Sequence, residues 1–268
     1  YLQAYDHARQ AIKSDPGDMH LKYLAVRSLA RSGAARQALD LYIQYELGKQ
    51  EDLDCLALRG RLEKDLALRL SGEVRQRRLR KAAEIYEQVH RRMGGYYPAI
   101  NAATLYLLAG DARRGEGYAK EALAYCARDA EKGELDDYYR IASQAEAHLV
   151  LGETLEAMQD LHKLATISRD DLAARASTRR QLRLILDTQR WNDSILDPLT
   201  PPEVIHYTGH AIGHGALAAE AEWSIGRAIT DEFDRGRTGV AFGSLAAGSD
   251  ILFAEECLRR DIELNLVL

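Results

Sequence analysis

The sequence is poor in the residues that staple small folds or span membranes. Only three cysteines occur in 268 residues, Cys55, Cys126 and Cys257, far apart and with no CxxC pair. That excludes a zinc knuckle and a disulfide framework, and it predicts reduced thiols in a cytoplasmic protein. No apolar run approaches the roughly 20 residues that a transmembrane helix needs, and no secretory signal pattern is present, so no membrane partner is expected. Positive charge is not in excess: 36 Lys and Arg stand against 41 Asp and Glu, a net charge of -5. The global electrostatic case for nucleic acid is therefore absent. Aromatics are scarce apart from 14 Tyr, with 3 Phe and 2 Trp. Of five prolines only Pro16 and Pro98 fall in the first 190 residues, where no strand alternation occurs either.

What is there is helical. Apolar residues recur at helical spacing through the first 190 positions, with breakers at short intervals. Basic residues cluster locally at Arg75, Arg77, Arg78, Arg80 and Lys81, and again at Arg175, Arg179, Arg180 and Arg183. Such runs are solvated helix faces by default, with phosphate binding the alternative. The tetratricopeptide unit is about 34 residues long, with small residues where two helices cross and a proline closing the unit. Pro16 suits the closing position, with Ala4, Ala8 and Ala11 upstream. One period on from Ala4 and Ala8 lie Ala38 and Tyr42. Three helix ends share a pattern: Gly33, Gly110 and Gly152 are each followed five residues later by a small residue, Ala38, Gly115 and Ala157. Glycine in a left-handed cap would end one helix, and the small residue would let the next pack closely. The glycine separations are not multiples of 34, so the repeats are degenerate. About ten helices, paired as hairpins, are expected over residues 1–191.

The stretch Gly94-Gly95-Tyr96-Tyr97-Pro98-Ala99-Ile100-Asn101 places two glycines, two tyrosines and a proline at a helix start. It reads as a rigid corner, with a groove contact through Tyr96, Tyr97 and Asn101 as the alternative. Past Trp191 the character changes. Residues 192–202 carry Asn, Asp, Ser and three prolines, as a linker would. Then come a strand at Val204–Tyr207, a helix near 217–234, a strand at Gly239–Phe242, a helix at Asp250–Arg260 and a strand at Ile262–Leu268. Strand–helix–strand–helix–strand predicts a parallel sheet and a partial Rossmann-like α/β domain over 203–268. The fold class expected is thus mainly α, a helical-hairpin solenoid followed by that domain. Because the chain opens at Tyr1 rather than Met and stops directly after an apolar run, it reads as a fragment.

In an open parallel sheet, ligands bind beyond the carboxyl ends of the strands. Two glycine loops fall there: Thr208-Gly209-His210-Ala211-Ile212-Gly213 and Gly243-Ser244-Leu245-Ala246-Ala247-Gly248-Ser249-Asp250. Glycines admit an anion to the backbone, and a helix start offers free N–H donors. Asp250 argues against a bare phosphate; capping the helix or accepting from a ribose hydroxyl are its two readings. Neither loop is a GxGxxG or a Walker A motif, so a tight turn with no ligand stays open. His206, His210 and His214 are spaced by four, but one lies in a strand and two in a loop, so the spacing does not make a metal site. No Ser-His-Asp, Cys-His or paired-carboxylate arrangement can be assembled.

Gly60-Arg61-Leu62-Glu63-Lys64-Asp65 and the run from Gly94 to Leu105 resemble the TRAFs-binding, tetratricopeptide-containing regulatory region. Apoptosis signal-regulating kinases and many bacterial signalling proteins share that region, and the likeness spans about residues 20–190. The tail, Ile205 to His210 with Gly243 to Glu255, is similar to SLOG-type Rossmannoid domains. That resemblance implies that Gly209, His210, Gly213, Gly243, Ser244, Gly248 and Asp250 line a pocket for a nucleotide-derived ligand, with Glu255 one helical turn below. It also implies a protein partner or fused effector of cyclase or kinase type, and a nucleotide second messenger. The loop after His210 is shorter than in that family, and the domain ends early. The expectation is a regulatory sensor with no catalytic residues of its own and no certain cofactor. A pure interaction scaffold and a nucleotide or NAD N-glycosidic hydrolase using Glu255 or Asp250 are the alternatives. Homo-oligomerisation is left open.

Overall fold

Three glycine caps show how the helices are cut from the sequence. Gly33, Gly110 and Gly152 all sit at positive φ, 95°, 82° and 83°. In each case the next residue donates its N–H to the carbonyl five positions back: Ala34 to Leu29, Asp111 to Tyr106 and Glu153 to His148. This bond satisfies a carbonyl orphaned by the helix end and turns the chain into a partner helix. Carboxylates do the same for helix starts, where Asp18, Asp52 and Asp171 accept from the N–H groups of Leu21, Cys55 and Ala174.

The computed structural model describes residues 1–132, 137–168, 171–212 and 216–267, and it divides into two units, Tyr1–Leu199 and Thr200–Leu268. Among the described residues the first unit holds ten α-helices: α1 (Leu2–Ser14), α2 (Met19–Arg31), α3 (Ala35–Gln44), α4 (Leu53–Ala67), α5 (Gly72–Met93), α6 (Tyr96–Leu108), α7 (Ala112–Lys132), α8 (Asp137–Leu151), α9 (Thr154–Ile167) and α10 (Leu172–Gln189). Hairpins α2–α3, α4–α5, α6–α7 and α8–α9 stack side by side, each packing against its neighbours in sequence. Their seams form three successive cores, around Val26, Leu39 and Leu62, then Leu79, Tyr86 and Leu105, then Leu149, Leu161 and Leu182. Fully burying one such leucine is worth about 1.5–3 kcal/mol, which is why tertiary packing rather than helix propensity sets this architecture.

The last helix breaks the series. Instead of stacking on α9, α10 packs against α6 and α8, the first helices of their hairpins. It therefore lies across the inner face of the stack. After it, residues expected as linker are structured: Asp193–Leu199 form a 3-10 helix with Leu196 and Leu199 buried. Arg175 donates to the Pro198 carbonyl at 3.2 Å, and Arg183 pairs with Asp193 at 2.9 Å. The arginine run of α10 is thus partly engaged in holding this segment. A short 3-10 turn tolerates Pro198 better than an α-helix interior would, so three prolines did not make 192–202 a loose linker throughout.

The second unit runs β1 (Glu203–Tyr207), α11 (Ala216–Arg235), β2 (Thr238–Gly243), α12 (Ser249–Arg259) and β3 (Glu263–Leu266). The strands form a parallel sheet in the order β1-β2-β3. Tyr207, Ile229, Phe233, Ala241, Cys257 and Ile262 make its core, with Tyr207 and Phe253 stacked at 4.9 Å. It is a small three-stranded parallel sheet with two covering helices.

Candidate functional site

The parallel register brings Tyr207, at the end of β1, level with Gly243, at the end of β2, so the loops that follow emerge together. They are bound to one another. Ser249 N–H donates to the His210 carbonyl at 3.1 Å, and His210 N–H donates to Ser249 Oγ at 2.9 Å. Gly248 sits at φ 111°, and a Cβ there would strike the His210 carbonyl; a Cβ on Gly209 would strike the Asp250 carboxylate. These two glycines permit loop-on-loop contact. Asp250 is buried, 1% exposed. Its Oδ2 accepts from Ser244 Oγ at 2.5 Å and from Ala246 N–H at 3.1 Å. Those two donors hold its carboxyl below the usual aspartate range. Asp250 thus braces the loop in front of its own helix.

Gly209, His210, Gly243, Ser244, Gly248 and Asp250 are therefore neighbours, with His210 and Leu245–Ala247 exposed. Gly213 lies outside the described residues. Glu255 is exposed within α12 and is not part of this cluster. The carboxylate beside it, Glu256, is buried and bonded to Arg259 and Arg260, which pull its pKa down to about 2. Among the described residues no group of three or more His, Cys, Asp or Glu could hold a metal ion.

In the helical unit, Gly94 and Gly95 take positive φ values of 70° and 89° at the start of α6, the corner expected there. Tyr97 meets the Tyr86 ring edge-on at 6.2 Å, and Asn101 Nδ2 donates to the Tyr97 carbonyl at 2.9 Å. Asn101 is thus engaged with its own helix, Tyr96 is half-buried, and Tyr97 is the most open of the three, at 39%.

Two polar clusters had no assigned role in the sequence. On the inner face, Thr104 and Gln181 both donate to Glu146, at 2.5 and 2.8 Å, and Lys64 donates to Gln181 at 3.1 Å. Burial pushes the Glu146 carboxyl up and the Lys64 ammonium down. On the other side of α4, Glu63 is fully buried and receives Arg78 and Lys81 at 2.9 Å and Arg59 at 3.2 Å. Burial raises its pKa, but bonds from Lys81 and Arg78 outweigh that and leave it below the usual glutamate range. The block Gly60–Asp65 is thus where α4 is tied to α5 on one side and α10 on the other. The sequence offers only the i, i+4 spacing of Arg59 and Glu63 as a signal, since Arg78, Lys81 and Gln181 lie too far along the chain for spacing to pair them with this block.

A family model described as "Tetratricopeptide Repeats-Sensor" matches residues 1–106. Among solved structures, a thermophilic TPR protein of Thermus thermophilus superposes with a TM-score of 0.51 at 21% identity, over 68% of this chain and 92% of that one. The helical unit has a tetratricopeptide-like fold. A tetratricopeptide repeat protein from Parabacteroides merdae gives a TM-score of 0.43 at 13% identity, over 74% of this chain and 70% of that one; at that level it adds nothing about the fold. No curated protein matches the chain. The hairpins, glycine caps and small crossing residues of the tetratricopeptide unit agree with this assignment. Among the described residues no helix is long and apolar enough to cross a membrane.

Proposed function

We propose that the chain is the sensor and interaction part of a cytoplasmic signalling protein. In this reading the tetratricopeptide unit contacts a protein partner or an effector of cyclase or kinase type. The second unit is a partial Rossmann-like domain of SLOG type that takes a nucleotide-derived ligand at its paired loops. The observation that carries the reading is the convergence of two strand-end loops and the start of α12 at one end of a parallel sheet, the position where such sheets bind ligands. The match of residues 1–106 to a sensor-type repeat family supports the regulatory half, as does the resemblance of Gly94–Leu105 to the TRAFs-binding region.

The loop geometry narrows the roles. Asp250 is engaged with Ser244 and with the Ala246 N–H, so ligand contacts fall to the exposed His210 side chain and the backbone of Leu245 and Ala247. Of the two carboxylates that the N-glycosidic hydrolase alternative would use, Asp250 is occupied by Ser244 and Ala246 and Glu255 lies exposed outside the loop cluster, so we favour the non-enzymatic reading. Titration calorimetry with nucleotides, cyclic nucleotides and ADP-ribose-type compounds tests it. Saturable binding that His210→Ala weakens is the expected result. Absence of binding across the panel, or binding indifferent to His210, overturns the nucleotide site.

A further inference from the structure

Helix α10 divides the inner face of the tetratricopeptide unit, because Gln181 and its neighbours occupy the middle of the groove against Lys64 and Glu146. At the α2–α4 end a cavity of about 630 Å³ remains. Four guanidinium side chains line it, Arg31, Arg61, Arg69 and Arg180, against two carboxylates, Asp65 and Asp171. Both carboxylates are already engaged. Asp65 stands 3.9 Å from Arg61, and Asp171 caps α10 by accepting from Ala174 N–H at 2.8 Å. Arg31 packs over the Tyr1 ring at 5.5 Å, and Arg69 donates one N–H to the Gly33 carbonyl at 2.5 Å. Among the described residues neither these two nor Arg180 has a carboxylate within 4.0 Å. The cavity therefore carries an excess of two positive charges in a chain whose net charge is -5.

Size and chemistry point the same way. Small-ligand pockets span about 300–1,000 Å³, and this one falls inside that range. An extended peptide would need the length of inner face that α10 covers. Converging arginines match phosphate oxygens with paired, charge-assisted hydrogen bonds. Four like charges gathered round one space repel one another, so a multivalent anion is the occupant that relieves the most free energy.

We propose that this cavity binds a small polyphosphate, either inorganic or carried by a nucleoside. The proposal stands apart from the loop site of the second unit and survives if that site fails. Binding of tripolyphosphate and of ATP to the full chain, measured by calorimetry at physiological salt, is the test. Arg69 and Arg180 are both exposed, so Arg69→Ala/Arg180→Ala should fold normally, as circular dichroism would check, and should weaken tripolyphosphate binding about tenfold or more. His210→Ala should leave tripolyphosphate binding unchanged, which separates this cavity from the paired loops. The single charge reversal Arg180→Glu is a second reading should the double variant be unstable. In the His210→Ala background, where the paired loops no longer contribute, tighter binding of ATP than of tripolyphosphate would identify the nucleoside form; equal or weaker binding of ATP would identify the inorganic one. Three results overturn the proposal: no saturable binding of either probe up to millimolar concentration, binding insensitive to Arg69 and Arg180, or tighter binding of an acidic peptide than of either probe.

Discussion

Replacing two glycines of α7 by alanine, one at a time, should move the stability of the helical unit in opposite directions. Gly115 is buried where α7 crosses α6. A Cβ there would stand 2.9 Å from the Ala103 carbonyl and 3.3 Å from the Leu107 amide nitrogen, both backbone atoms. Gly117, two residues on, is exposed, and a Cβ there meets nothing within 4 Å. Alanine improves helix propensity by about 1 kcal/mol over glycine at either position. At Gly117 that gain stands alone, so the variant should be about 1 kcal/mol more stable. At Gly115 the added methyl forces α6 and α7 apart, and overpacking of this kind costs about 1–3 kcal/mol. Backbone atoms cannot rotate away as a side chain would, so the net effect should be a loss of up to about 2 kcal/mol. For a unit of this size each kcal/mol shifts Tm by about 2–4 °C. Thermal melts by far-UV circular dichroism, with urea titrations for the free energies, would read both. If Gly115→Ala raised Tm as much as Gly117→Ala, the two helices would not cross at this distance and the hairpin reasoning would fail.

Other consequences follow from the buried polar groups and caps. Glu63→Gln removes the charge that Arg78 and Lys81 share, and should cost about 1–3 kcal/mol at neutral pH, discounted because those cations are partly exposed. The folded pKa of Glu63 is depressed, so its contribution is complete above the unfolded carboxyl value, about 4.3, and is lost as pH falls through the folded one. The gap between wild type and variant in urea midpoint should therefore close in acid; a gap constant down to pH 3 would refute the assignment. Burial pushes the Cys55 and Cys126 thiols up to about 12 and raises Cys257. An aromatic disulfide reagent at pH 8 should then react only as the chain unfolds, and a fast-reacting thiol in the native protein would contradict the buried placement. Arg190 ends α10 in the left-handed conformation, φ 57°. Arg190→Gly should relieve about 1 kcal/mol of backbone strain and raise Tm by a few degrees; an unchanged or lower Tm would count against it.

Much of this architecture was legible in the sequence because local chemistry decided it. Gly33, Gly110 and Gly152 marked helix ends, and a following small residue marked each crossing; Gly115 shows why, since its neighbour across the interface is backbone. The strand–helix alternation after Pro202 likewise gave the order of elements in the second unit. Long-range matters were not legible. Nothing in Leu172–Gln189 distinguishes a helix that continues a stack from one that lies across its inner face, because either buries the same apolar stripe. Glu63 read as one charge among many until α5 placed Arg78 and Lys81 against it. At the paired loops the sequence singled out glycines suited to an anion, and the structure adds a second reason for Gly209 and Gly248, the contact of one loop with the other.

The course of α10 alters how the helical unit should respond to damage. In a simple array each hairpin touches only the next, so stability adds up along a line and the ends fray independently. Here the hydrogen bond from Lys64 to Gln181 joins residues 117 positions apart, and α10 also packs on α6 and α8. Hairpins that would otherwise ignore one another share a common brace. A lesion in the first half should then lower the melting of the last, and the unit should lose its structure in one step where an open solenoid would come apart repeat by repeat.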